Sequence, residues 1–137
     1  NGWRYRGAPE KEVSPPMRML LPPVRERRKI DGFLTAFYEG SDRADFDAAM
    51  GSLCVFYRLP KPKVFWYSEI DGGKTLGQVH ENGRIDLIDP RNWCERQSEN
   101  SRRAWIRTFY HEAAHYILWA DEERKADLFA HRFIKGL

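Results

Sequence analysis

The sequence predicts an α+β fold in a single domain, on three observations. Apolar residues recur at helical spacing over residues 25 to 57 and again over 100 to 134. A stretch rich in β-formers and punctuated by turn residues fills positions 63 to 89 between them. The 137-residue length suits one domain, and a 42% hydrophobic content with five Trp is enough apolar surface for a core. The expected architecture is N-terminal helices, a small antiparallel or mixed three-stranded sheet, one long helix and a C-terminal helix. These occupy residues 25–137, behind a Pro-rich arm at 1–24.

In the arm, Pro9, Pro15, Pro16, Pro22 and Pro23 forbid a long helix. Its Trp3, Tyr5, Met17, Met19 and Leu20 suit packing against the domain. The first helix follows Ile30, Phe33, Leu34 and Phe37, and Gly40-Ser41-Asp42 breaks it. The second carries Phe46, Ala49, Met50, Leu53 and Phe56 or Tyr57, and Pro60 and Pro62 end it. Val64 to Tyr67 reads as a strand, and Asp71-Gly72-Gly73 as a turn. Asn82-Gly83 suits a two-residue type I′ turn, so Leu76 to Glu81 and Arg84 to Ile88 are expected to form a tight hairpin. The strongest helix spans 100 to 119, with Trp105, Ile106, Phe109, Ala113, Tyr116, Ile117 and Leu118 as apolar positions. Asp121 is the expected N-cap of a last helix that buries Leu128, Phe129, Phe133 and Ile134.

Charged residues make up 31% and mean hydropathy is −0.70, so the surface is wet. No apolar run approaches the ~20 residues needed to cross a bilayer. No signal-peptide pattern opens the chain, which starts at Asn1, and the expected compartment is the cytoplasm. Cys54 and Cys94 make no disulfide framework and fit no metal spacing, so both read as free thiols. The net charge of +3 is concentrated in Arg25, Arg27, Arg28 and Lys29 and in Arg102, Arg103 and Arg107. Such clusters are compatible with nucleic acid but more often mark a solvated helix face.

The chemistry sits in His111-Glu112-Ala113-Ala114-His115. Histidines four apart on a helix stand one turn apart on one face, so both imidazoles reach one metal ion. Glu112 lies about 100° round the helix from His111, where its carboxylate can approach water without joining the ligands. A catalytic zinc needs a third protein ligand and an open position. Asp121, Glu122, Glu123, Asp127 and His131 are available. If the chain reverses near Ala120, the last helix returns antiparallel. Glu123 then lies level with His115, and Asp127, one turn on, lies level with His111. That geometry selects Glu123 as ligand and Asp127 as the acid that orients His111. The competing pattern requires a Gly three residues after His115 and a ligand three further on. Leu118 and Asp121 hold those places, which leaves Asp121 as the alternative third ligand.

Glu123-Arg124-Lys125-Ala126-Asp127-Leu128-Phe129-Ala130 resembles the element that follows HExxH in the ImmA/IrrE family of metallopeptidases. Its Glu-x-x-x-Asp part is similar to the glutamate helix of gluzincins. The resemblance covers residues 111 to 130 and, more loosely, the strands from Gly77 to Asp89. SprT-like proteases and minigluzincins have similar cores. Only seven residues separate His115 from Glu123, shorter than is usual in the family.

The resemblance implies a zincin-like domain with Zn2+ on His111, His115 and Glu123, and Glu112 as catalytic base. It implies hydrolysis of peptide bonds in a protein substrate, such as a DNA-binding repressor, with substrate backbone added to a sheet edge. Tyr116, His80 and His131 are the available oxyanion donors. The alternatives are a non-catalytic zinc-stabilised binding module, in which Cys94 or His80 would close the site, and a DNA-associated SprT-like protease.

Overall fold

A computed structural model describes residues 20–93, 98–119 and 122–137. Helix α1 spans Val24–Gly40 and turns its buried stripe of Ile30, Leu34, Phe37 and Tyr38 inward. It stops at Ser41, whose backbone is left-handed and whose N–H donates to the carbonyl of Phe37. Asp42 then caps α2, Arg43–Tyr57, by accepting the N–H of Ala44. Helix α2 buries Phe46, Ala49, Met50, Leu53, Cys54 and Tyr57. The Tyr57 hydroxyl donates to the carbonyl of Leu20 at 2.6 Å, tying the described end of the arm to the domain.

Strand β1, Val64–Tyr67, runs parallel to β3, Ile85–Ile88, and β2, Gly77–Val79, runs antiparallel to it. The strand order β1-β3-β2 makes the sheet mixed and puts β2 at an edge. The β2–β3 connection is not the two-residue type I′ turn that Asn82-Gly83 suggested. His80 and Arg84 close it instead, by a 2.8 Å bond from the His80 N–H to the Arg84 carbonyl. Three residues bridge the gap, and only Gly83 among them has positive φ, at 92°. A type I′ turn needs positive φ at both central residues. Here the Asn82 side chain accepts the Arg84 N–H, which holds the wider loop.

Helix α3 is Glu99–Leu118, capped by Ser98, whose hydroxyl accepts from Asn100 and Ser101. Trp119 follows in the left-handed region, so the chain leaves the helix one residue beyond Leu118. Helix α4 is Glu123–Ile134, with Glu122 at the N-cap position; Asp121, the expected cap, lies outside the described residues. Leu128, expected to be buried, is 49% exposed. The helix packs instead through Ala126, Phe129, Ala130 and Phe133, a strict three-four stripe on which Leu128 does not fall.

The core is an aromatic cluster between the helices and the sheet. Phe46 meets Trp66 edge-on at 4.7 Å, and Phe37 lies 5.7 Å from Trp105. The indole N–H of Trp105 donates to the Ile88 carbonyl at 2.9 Å, which pins α3 to the end of β3. The Arg27 guanidinium of α1 donates to the carbonyls of Arg132, Phe133 and Lys135 at the end of α4. These groups have no partner inside the helix, so the contact fixes where α4 sits. No helix among the described residues is long and apolar enough to cross a membrane.

Candidate metal centre

Helix α3 carries His111, Glu112 and His115 in its last two turns, and α4 carries Glu123 and Asp127 in its first two. Ala126 and Ala130 on the α4 stripe let the two helices approach closely. His115 is only 5% exposed and Glu112 only 7%, although both are polar.

His111 Nε2 lies 3.3 Å from His115 Nε2 and 2.7 Å from Glu123 Oε1. The second oxygen of Glu123 stands 3.3 Å from His115 Nε2. His111 Nδ1 lies 2.7 Å from Asp127 Oδ1. A carboxylate at that position is placed to accept an Nδ1–H, the tautomer that presents Nε2 to a metal ion. Two imidazole nitrogens and a carboxylate converge here, an arrangement that a positive centre between them would stabilise.

The spacing is right for a small metal ion. Two donors each about 2.05 Å from a tetrahedral ion are about 3.3 Å apart. That matches both His115 separations. One ligand atom from each of His111, His115 and Glu123 lies within 4.8 Å of the others, and the group could hold a metal ion.

Glu112 is adjacent to this group and outside it. Its side chain runs under β2, where a Cβ added to Gly77 would come 2.9 Å from Glu112 Cγ and 3.3 Å from its carboxyl carbon. Only glycine fits there without displacing the carboxylate. Burial pushes the Glu112 carboxyl up to about 7; the nearby His111 opposes this and Glu123 adds to it.

No family model, curated protein or solved structure matches the chain. What bears on function is thus the arrangement of its own side chains.

Of the other residues singled out from sequence, most are elsewhere or otherwise engaged. His80 Nε2 is 2.7 Å from the buried Asp86, which also receives Gln78 and Arg84. Burial raises the Asp86 carboxyl, but these hydrogen bonds outweigh it and hold the group below its ordinary value. His80 belongs to this knot at the β2–β3 turn and to no metal group among the described residues. The Tyr116 hydroxyl donates to the carbonyl of Pro60, so its proton is committed to a loop. Glu122 pairs with Lys125 at 3.8 Å, and His131 is exposed on α4. Asp121 and Cys94 lie outside the described residues, and Cys54 is a buried free thiol. Gly77 was not singled out from sequence. The available signal was a glycine opening a strand, which often marks close backbone approach.

Proposed function

We propose that the chain is a zinc-dependent endopeptidase with a zincin-like core of the ImmA/IrrE type. The observation that carries this reading is the pairing of three convergent donors with a buried carboxylate, Glu112, that stands beside them and outside the group. A structural zinc site is closed by four protein ligands, whereas a catalytic one has three and an open position. His111, His115 and Glu123 would be the ligands. Two nitrogens and one oxygen suit zinc better than calcium or magnesium, which prefer all-oxygen sets.

When bound, zinc acidifies water and polarises the scissile carbonyl. Glu112 takes a proton from the attacking water on its carboxylate and delivers it to the departing amine. Its burial keeps that proton transfer away from bulk solvent. Asp127 holds His111 in the tautomer that presents Nε2. No strand among the described residues pairs with the outer edge of β2, so an extended peptide can add there, next to Glu112.

The DNA-associated alternative is less well supported. Arg27 is spent on the end of α4, Arg102 pairs with Glu39 and Glu99, and Arg103 with Glu99. Arg102 and Arg103 are thereby partly neutralised within the molecule, and Arg27 is held to a helix end.

The test is elemental analysis combined with cleavage of unfolded protein substrates. One zinc per chain and cleavage abolished by Glu112→Gln with zinc retained are expected. Undiminished cleavage by Glu112→Gln would remove the base assignment, and a chain that binds no divalent metal would end the reading.

A further inference from the structure

A cavity of about 430 Å³ opens at the start of β2, lined by Glu69, Thr75, Leu76, Ile88, Trp93 and Ser101 among others. We propose that it is a substrate side-chain pocket that takes a bulky apolar residue of the peptide beside the scissile bond. The inference rests on the peptidase reading above and adds a substrate class to it.

Position is the first argument. Leu76 forms part of the wall and directly precedes Gly77, the residue whose Cα lies against Glu112. Ile88, another wall residue, ends β3 one position after Leu87, the partner of Gly77. A strand advances about 3.3 Å per residue. A peptide paired with β2 and presenting its carbonyl near Glu112 therefore places a side chain one or two residues away, about 3–7 Å along the edge, at the cavity mouth.

Size and chemistry are the second argument. The space is a cleft open to solvent, so a peptide side chain can enter it from the surface. At about 430 Å³ it lies within the range of ligand pockets, about 300–1,000 Å³, and has room for a bulky side chain. Leu76, Ile88 and Trp93 supply apolar wall, and Leu76 is 54% exposed at the opening. Thr75 and Ser101 are small and neutral, and no Lys or Arg among the described residues lines the space. Among the described residues that line it, Glu69 is the one charged group, and it repels acidic side chains.

The test measures binding apart from cleavage. Zinc-loaded Glu112→Gln protein is titrated calorimetrically with blocked hexapeptides that differ only in carrying Phe, Ala or Lys at one central position. Phe is expected to bind at least about tenfold tighter than Ala, the discrimination a filled apolar pocket gives. Ser101→Trp and, separately, Thr75→Trp fill the space in that background. Either is expected to abolish the Phe preference with zinc stoichiometry and Ala-peptide affinity unchanged. Equal binding of Phe and Ala, a preference for Lys, or a Phe preference that survives in the filled variants overturns the proposal. If neither filled variant folds, the Phe-to-Ala ratio of the parent still decides. Cleavage by the unmodified protein is scored separately. Phe-selective binding without any proteolysis leaves the pocket and removes the peptidase reading. Equal kcat/KM on Phe and Ala peptides does the reverse.

Discussion

Glu112 concentrates the consequences at the level of single residues. An ordinary glutamate titrates near 4.5, and this one is pushed up to about 7 chiefly by burial. Its folded state binds a proton more readily than its unfolded state, so metal-free protein is stabilised as pH falls from 7 towards 4.5, and above 7 it carries the full cost of a buried anion. Glu112→Gln removes that cost. Metal-free Glu112→Gln is expected to be more stable than the parent at pH 8 by about 1–3 kcal/mol, with the difference gone below pH 4.5. Denaturant melts at the two pH values check this, and equal stability at pH 8 would contradict the described burial. On activity, Glu112→Gln should lose about 10²–10⁴-fold with zinc kept, while His115→Ala should lose zinc and activity together. Gly77→Ala adds a Cβ at 2.9 Å from Glu112 Cγ. It should lower kcat at unchanged KM and unchanged zinc content, because it moves the base and not the ligands. The spacing of His111, Glu112 and His115 was legible because helix geometry converts sequence distance into spatial proximity. Gly77 and Asp86 were not, because their roles come from contacts between strands and helix that no local pattern encodes.

Pairing of α3 with α4 is what makes a site of two local motifs. Reading Glu123 and Asp127 as level with His115 and His111 required only a reversal near Ala120 and an antiparallel return. In the folded chain Glu123 spans both histidines, and Asp127 meets His111 Nδ1. Asp127→Ala should therefore weaken zinc binding about 10–100-fold without abolishing it, measured by competition with a chromogenic chelator. An unchanged affinity would remove the orienting role. The helices themselves were legible from apolar spacing and breakers, the Gly40-Ser41-Asp42 break and the Pro60 stop being examples. The errors fell where local preference met tertiary demand. Asn82-Gly83 favours a two-residue turn, but the His80–Asp86–Arg84 knot closes a wider one. Leu128 is apolar yet exposed, because α4 is held by its Ala126–Phe129–Ala130–Phe133 stripe and by Arg27 across its end. Nothing in the sequence pairs Arg27 with carbonyls more than a hundred residues away. Arg27→Ala leaves those carbonyls to water and should cost about 1–3 kcal/mol of stability in denaturant melts.

Over the whole molecule, the site lies where the end of α3 meets the start of α4, beside the part of the core formed by Ala113, Ala114, Ala126 and Phe129. The aromatic cluster of Phe37, Phe46, Trp66, Trp105 and Phe109 anchors α1, α2 and the sheet to the first half of α3. The metal group instead ties the second half of α3 to the start of α4. A ligand that binds only the folded state stabilises it by RT ln(1 + [L]/Kd), about 2.7 kcal/mol at a hundredfold excess over Kd. For a domain of this size that corresponds to a rise in Tm of about 10 °C. The position of the ligands adds a direction to the expectation. Without an ion, the start of α4 meets α3 at this site through the His111–Glu123 and His111–Asp127 contacts, whose carboxylates are largely exposed, so an ion bound by Glu123 should tighten this segment first. Hydrogen exchange should then show the amides of residues 123 to 127 protected by zinc far more than those of α1 or α2. Glu123→Ala should remove both the Tm rise and this local protection. A zinc-induced rise that survives in Glu123→Ala would mean that the ion is held elsewhere, and a protection change spread evenly over the chain would mean that the core and the metal site form one cooperative unit.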